Sequence, residues 1–191
     1  MPHCNDPIHL QKNLKIREAF AKRFPGQTLN EGVSLLPVNY YNFRISGMKN
    51  KWVVGLGCET AGAYSNEYNL IGGKSETKCF LCDITREVKE EIKKDVRNLH
   101  NCPFIFINRT VVFLYEVVGW SRAPINEAIR KDNQNPSLPH CMKEMSEVEW
   151  FTIDGKQLEG RSYPLSSYSQ LLFKQLNKFN PGYFDRVFRK Q

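Results

Sequence analysis

Residues 79–94, CFLCDITREVKEEIKK, place the strictest demand on any fold this chain can take. Read at helical spacing, Phe80, Ile84 and Val88 fall on one edge, with Ile92 continuing it, and Glu87, Glu90 and Glu91 project together from one side. Like charges three and four residues apart destabilise an isolated helix, and Lys89 or Lys93 offsets only part of that repulsion. Such a helix needs a core to lock its apolar edge and something positive among its acids. A divalent cation meets the second need, because Mg²⁺ takes hard oxygen ligands that carboxylates and water supply. A solvated acidic face with lysines four residues away is the plainer explanation of the same spacing.

The surroundings of this helix predict a sheet. Val33 to Ile45 (with a break near Pro37), Lys51 to Cys58 and Tyr68 to Ile71 precede it as strand-like runs, and Gly72-Gly73 ends the last of them. Phe104–Ile107 and Thr110–Val118 follow as strands rich in β-branched and aromatic residues. Residues 10–24 have helical spacing and are stopped by Pro25-Gly26. A short helix over 123–131, a polar irregular loop over 132–146, a final strand over Glu147–Ile153 and a closing helix over Ser166–Phe179 complete the chain. The order predicts an α+β chain, an α/β/α sandwich whose mixed sheet is flanked by helices, with an added N-terminal helix. The expected organisation is one domain over 1–191, with 1–30 as a helical extension.

With 41% apolar and 25% charged residues the composition is that of a globular chain, which excludes disorder and collagen-like repeats. No apolar run reaches the roughly 18 residues of a membrane span, and the start lacks an apolar signal core. The expected location is therefore intracellular, in the cytoplasm with the nucleus left open, and the 6 cysteines are expected as reduced thiols. The net charge of +7 is concentrated at the two ends: residues 1–50 and 151–191 each carry 7 basic and 3 acidic side chains, against 13 and 14 in 51–150. That distribution suits a protein that draws in a polyanion while keeping a local carboxylate group for metal; simple solubility accounts for it equally.

Gly72-Gly73 between strand and helix lets the backbone turn and approach a ligand closely. Arg86, directly before the first acid, is placed to hold a glutamate by a bidentate pair. Gly-Gly-Lys, a short loop and then Arg86-Glu87-Val88-Lys89-Glu90-Glu91 resemble the Nudix box: Gly, five residues, Glu, seven residues, then Arg-Glu-apolar-any-Glu-Glu-any-Gly-apolar. Glu149-Trp150-Phe151 and the polar turn after it are similar to that family's last strand. Counted back from Arg86, Gly72 is the box glycine and Lys78 stands where the upstream glutamate would be. Aligned on Gly73, Cys79 takes that place instead, and Glu76 is near enough to substitute. Lys93 and Lys94 replace the terminal glycine and apolar residue. The box segment is 72–94.

The resemblance implies hydrolysis of a diphosphate bond in a nucleoside diphosphate linked to another group, with Mg²⁺ or Mn²⁺ as cofactor. It implies Glu87, Glu90, Glu91 and the Gly72 carbonyl as metal ligands, Glu90, Glu91 and Arg86 as catalytic residues, and Gly73, Lys74 and Lys78 as substrate-binding. His140 and Glu144 in the 132–146 loop are candidates to take a proton from water. Basic ends favour a capped or 5′-phosphorylated RNA end as substrate. ADP-ribose, dinucleoside polyphosphates, nucleoside triphosphates and inositol pyrophosphates remain open, as do a non-catalytic nucleotide- or RNA-binding module on the same scaffold and a structural RNA-binding protein.

The remaining features have plainer explanations. Cys79-x-x-Cys82 fits half-buried thiols, or a zinc set completed by His100 and Cys102. Asn108-Arg109-Thr110 matches a glycosylation acceptor that an unexported chain would not use. Tyr40, Tyr41, Phe43, Tyr64 and Tyr68 are expected mostly in the core, with one or two free to stack on a base.

Overall fold

The computed structural model describes residues 4–30, 32–41, 51–158, 162–180 and 182–189. Helix α1 (Pro7–Arg23) is followed by strands β1 (Gly32–Tyr41), β2 (Lys51–Glu59), β3 (Tyr68–Asn69) and β4 (Ile71–Lys74). Then come helix α2 (Phe80–Ile92), strands β5 (Phe104–Ile107) and β6 (Thr110–Glu116), helix α3 (Arg122–Gln134) and strand β7 (Met145–Thr152). Helices α4 (Ser167–Leu176) and α5 (Tyr183–Phe188) close the chain.

The seven strands form one mixed sheet, with path β3-β2-β1-β6-β5, β4 on β1 and β7 on β2. The long strand β1 organises it. On one side it runs parallel to β6 from Val33↔Val111 to Val38↔Glu116. On the other it pairs antiparallel first with β4, up to Leu35↔Ile71, and then with β2 from Val38↔Val54. Pro37 falls between those two partners, where a missing N–H breaks least, so the strand continues through it and the expected break is absent. Residues 42–45 of the expected strand lie outside the described residues.

Alternation along the strands sorts the apolar side chains onto the two sheet faces. Val33, Leu35, Phe106, Val111 and Phe113 pack with Ile16 and Phe20 of α1, Ile84 and Val88 of α2, and Ile125 and Ile129 of α3. Leu36, Val38, Ile105, Ile107, Val112 and Leu114 pack with Leu172, Phe173 and Leu176 of α4 and Phe184 of α5. Helices thus cover both faces, as the element order predicts. Asn108 and Arg109 turn the β5–β6 hairpin with φ of 44° and 67°, the paired positive values of a turn that matches strand twist.

Two expectations change. Gly72-Gly73 does not end a strand in a sharp turn; both lie inside β4, paired with Ser34 and Val33 of β1. The stretch 132–146 is not one irregular loop, since α3 extends to Gln134, a single 3₁₀ turn occupies His140–Lys143 and β7 begins at Met145. The helix expected over Ser166–Phe179 is α4, capped by Ser166, and the short helix α5 follows it. Of the aromatics offered for base stacking, Tyr68 is fully buried with its hydroxyl donating to Glu147 Oε1 at 2.7 Å, and Tyr40 packs against Trp52. Phe43 and the Tyr41 side chain lie outside the described residues. No helix among the described residues is long and apolar enough to cross a membrane.

Candidate active site

Helix α2 carries the acids because its other side is sealed. Phe80, Leu81, Ile84, Val88 and Ile92 are each no more than 2% exposed. Burying five such side chains is worth on the order of 10 kcal/mol as an upper bound. That packing opposes the repulsion among the carboxylates and holds the acids where the helix puts them. Asn13 of α1 caps the start, its Oδ1 accepting the Phe80 N–H at 3.2 Å. At the other end Lys93 has φ 59°, the left-handed conformation in which the box pattern has glycine. Its ammonium donates to the Glu90 and Met142 carbonyls and sits 3.0 Å from Asp132, which ties α2 to α3 and the His140–Lys143 turn.

Arg86 gathers the acids. Its guanidinium lies 2.6 Å from Glu87 Oε1, 2.8 Å from Glu90 Oε2 and 3.7 Å from Glu76 Oε2. Glu76 thus reaches the box arginine from two residues before Lys78, which is exposed with φ 62°. Glu91 is buried and its Oε2 accepts the Gly72 N–H at 2.9 Å. A Cβ on Gly73 would lie 2.8 Å from Glu87 Oε1, so the absence of a side chain there leaves room for that carboxylate. The structure therefore brings Gly72, Gly73, Arg86, Glu87, Glu90 and Glu91 together, with β4 as the wall against which the helix presents its acids.

Two further glutamates join them electrostatically. Burial comes first in pushing Glu91 well above the ordinary glutamate range; the Glu87 charge adds to it, the Gly72 N–H opposes it, and Glu144 and Glu59 add the rest. Glu87 is also raised, by burial first and by Glu90 and Glu144 further on, with Arg86 holding it back. Glu59 is raised by burial, against its hydrogen bond from Asn69, with Glu144 and Glu67 adding to the rise. No spacing rule pointed to Glu59, whose one signal is an acid directly after a strand-like run. It ends β2 beside a register shift with β7, where Cys58 faces Glu147, Glu59 faces Met145 and Ser146 is the extra residue on β7. Asn69 Nδ2 donates to it at 2.7 Å, and Ser166, which caps α4, donates to Asn69 Oδ1 at 2.9 Å. Thr60 donates from its N–H (2.7 Å) and its hydroxyl (3.1 Å) to the Glu144 carbonyl, which fixes that segment beside Glu59. His140 is 74% exposed with Nδ1 3.9 Å from Glu144 Oε1, so it meets the acids only through Glu144.

Sequence reasoning also missed Asp83. It is fully buried on α2 and accepts from the Ser75 hydroxyl at 2.5 Å and the Thr77 N–H at 3.2 Å, holding the loop before the helix in shape. That loop forms one wall of a cleft of about 670 Å³ lined by Lys74, Ser75, Glu76, Lys78 and Phe80, with Arg17 of α1 opposite. The two lysines offered as phosphate neighbours thus share a basic cleft, and Glu76 belongs both to it and to the Arg86 cluster. Cys79 and Cys82, at the start of α2, face Cys4 and His9 rather than His100 and Cys102.

No family model matches the chain, and no curated protein matches it. Among solved structures, the NUDIX domain of Shewanella oneidensis NrtR complexed with ADP ribose is similar at 12% identity and TM-score 0.45, over 86% of this chain and 98% of that one. A MutT/nudix family protein from Enterococcus faecalis is similar at 16% and 0.47, over 95% and 74%. A UDP-X diphosphatase is similar at 15% and 0.41, over 86% and 70%. At such identities and TM-scores the likeness carries no argument, and the chemistry of this chain rests on its own carboxylates around α2.

Proposed function

We propose that this chain is a divalent-cation-dependent pyrophosphohydrolase that cleaves the diphosphate bond of a nucleoside diphosphate linked to another group. The observation that carries it is the placement of Glu87 and Glu90 on Arg86 and of Glu91 on the Gly72 N–H of β4, with the Glu87 and Glu91 carboxylates close enough to feel one another's charge. Buried carboxylates that raise one another's proton affinity are costly as a bare cluster, and an all-oxygen donor set of this kind fits Mg²⁺ or Mn²⁺. Glu87, Glu90 and Glu91 would hold the ion, which when bound neutralises bridging phosphates and acidifies a water.

The other residues position and exclude. Arg86 acts on the reaction through Glu87 and Glu90, whose orientation it sets, and is a positioning residue. The Gly72 N–H does the same for Glu91. Glu144, half-exposed and coupled to both Glu87 and Glu91, is the group that accepts the proton of the attacking water. Arg17, Lys74 and Lys78 offer three cations to the phosphates beyond the scissile bond, which favours a polyanionic substrate such as a capped or 5′-phosphorylated RNA end over a compact nucleotide.

Product analysis on capped RNA, ADP-ribose and a dinucleoside polyphosphate, each with Mg²⁺ or Mn²⁺, tests the assignment. Turnover is expected only with a divalent ion. If the three cations track an RNA backbone, kcat/KM on capped RNA falls with salt with a log–log slope of about −2, and the slope for ADP-ribose is shallower. Absence of cleavage on all three substrates with either ion would leave the scaffold as a binding module.

Metal binding is also expected to depend on pH. Folding raises the proton affinity of Glu59, Glu87 and Glu91, so their contribution to stability is fully present below the ordinary glutamate range. It is lost as pH climbs through the raised values. A cation must displace those protons, so the rise in melting temperature caused by Mg²⁺ or Mn²⁺ should grow as pH climbs from the ordinary glutamate range through neutrality. A rise that is flat across this window would place the ion elsewhere.

A further inference from the structure

The start of α1 is held to the start of α2 by four side chains that hydrolysis does not use. Cys4 precedes α1, His9 lies in its first turn, Cys79 immediately precedes α2 and Cys82 lies in its first turn. Their ligand atoms all lie within 4.8 Å of one another; Cys79 is buried and the other three are half-buried. His9 Nδ1 is 3.5 Å from Cys4 Sγ, 3.5 Å from Cys82 Sγ and 3.9 Å from Cys79 Sγ. In a tetrahedral zinc site the bond lengths to sulfur and nitrogen set the S···N edge at about 3.6 Å. The three measured separations bracket that edge. The outer shell fits as well: His9 Nε2, the nitrogen turned away from the sulfurs, lies 3.8 Å from the Asp6 carboxylate, the kind of partner that orients a ligating imidazole.

We propose that Cys4, His9, Cys79 and Cys82 form a Cys₃His zinc site that staples the start of α1 to the start of α2. Donor chemistry separates it from the carboxylate cluster: three sulfurs and one imidazole suit Zn²⁺ and bind a hard ion such as Mg²⁺ only weakly. All four corners are filled by protein, which marks a structural rather than a catalytic centre.

The position explains why such a staple is needed. Helix α1 buries Ile16 and Phe20 in its second half, but in its first half Ile8, Leu10 and Leu14 are 51%, 51% and 57% exposed. Apolar burial therefore anchors one end of α1, and polar contacts hold the other: the Cys–His cluster, the Asn13 cap and Lys12, whose ammonium donates to the Cys102 carbonyl at 2.7 Å. Arg17, one turn beyond Asn13, stands over the Phe80 ring at 5.2 Å and lines the basic cleft. The zinc site fixes the segment that carries this cation.

The test uses the full untagged chain, purified under reducing conditions without chelator. Elemental analysis is expected to find one equivalent of zinc per chain. Reconstitution of the stripped chain with Co²⁺ should give the intense visible bands of a tetrahedral thiolate site, bleached by added Zn²⁺. Cys4→Ser and His9→Ala should each lose the bound equivalent and the cobalt spectrum, whereas Cys141→Ser, whose thiol is exposed and outside the cluster, keeps both. Should those variants fold poorly, alkylation of the wild type decides: zinc should shield Cys4, Cys79 and Cys82 from iodoacetamide, and chelation should expose them. A zinc-free wild type with no cobalt spectrum, a Cys79–Cys82 disulfide in the reduced preparation, or zinc retained by both Cys4→Ser and His9→Ala overturns the proposal. These readouts are independent of hydrolysis, so the zinc site stands or falls separately from the pyrophosphohydrolase assignment.

Discussion

Replacing Glu91 by glutamine is expected to slow hydrolysis about 10³-fold, the scale at which a carboxylate in direct contact with the reacting assembly acts. The same substitution should leave the protein more stable at neutral pH. Glutamine keeps an oxygen for the Gly72 N–H and nearly the same volume, yet removes a buried charge that Glu87, Glu144 and Glu59 all disfavour. A gain of about 1 kcal/mol near pH 8 is expected. Its pH course has a definite sign. Because the folded chain holds the Glu91 proton more tightly than the unfolded chain does, wild type and variant converge below the ordinary glutamate range and part as pH rises. Steady-state kinetics on a cleaved substrate, with urea unfolding at two pH values, measures both effects. A variant that turns over as wild type does would remove Glu91 from the active centre. One that loses activity and stability together would make Glu91 a structural acid. Loss of activity with a gain in stability is the signature of a site held against its own repulsion for the sake of a cation.

The parts of this fold that could be read from the chain are those in which one local pattern decides the outcome. The periodicity of Phe80, Ile84 and Val88 predicted α2 to within a residue at its start, and the β-branched runs predicted β5 and β6, because packing and local preference agree there. The glycine pair was misjudged because glycine more often marks a turn. Here it serves a close approach between strands, a requirement set by β1 and invisible until β1 and β4 are paired. Glu59 escaped because the groups that act on it, Asn69 and Glu144, come from other segments of the chain. The partners of Cys79 and Cys82 escaped for a related reason: His9 is 70 residues from Cys79, and only the packing of α1 on α2 brings them together. In the candidate site, the helix supplied by local sequence was legible, while the acids and thiols supplied by distant segments required the topology.

Gly72→Ala tests that topology where it is tightest. Gly72 has φ 141°, and a Cβ added there would lie 2.2 Å from the Val33 carbonyl oxygen and 2.7 Å from Ser34 Cα. Both obstacles are backbone of β1, so no side-chain rotation relieves the clash, and β4 has to separate from β1. The expected loss is about 3 kcal/mol or more in urea unfolding. Gly26→Ala is the reference for a left-handed glycine without a clash: its φ of 75° is near the region alanine enters at modest cost, and a Cβ there meets nothing within 4 Å, so the loss should be about 1 kcal/mol. The difference between the two reports the strand contact together with the added strain of a φ that alanine hardly adopts. Gly73→Ala separates stability from chemistry, since its Cβ would meet only the Glu87 carboxyl group at 2.8 to 3.0 Å, the far end of a side chain that can swing away. Less than about 1 kcal/mol of stability should go with it. Hydrolysis should nevertheless fall, because the carboxylate that swings is one that Arg86 holds at 2.6 Å. Equal unfolding costs for Gly72→Ala and Gly26→Ala would mean that β4 slides freely on β1, and a site that takes its Glu91 hydrogen bond from Gly72 could not then be held in register.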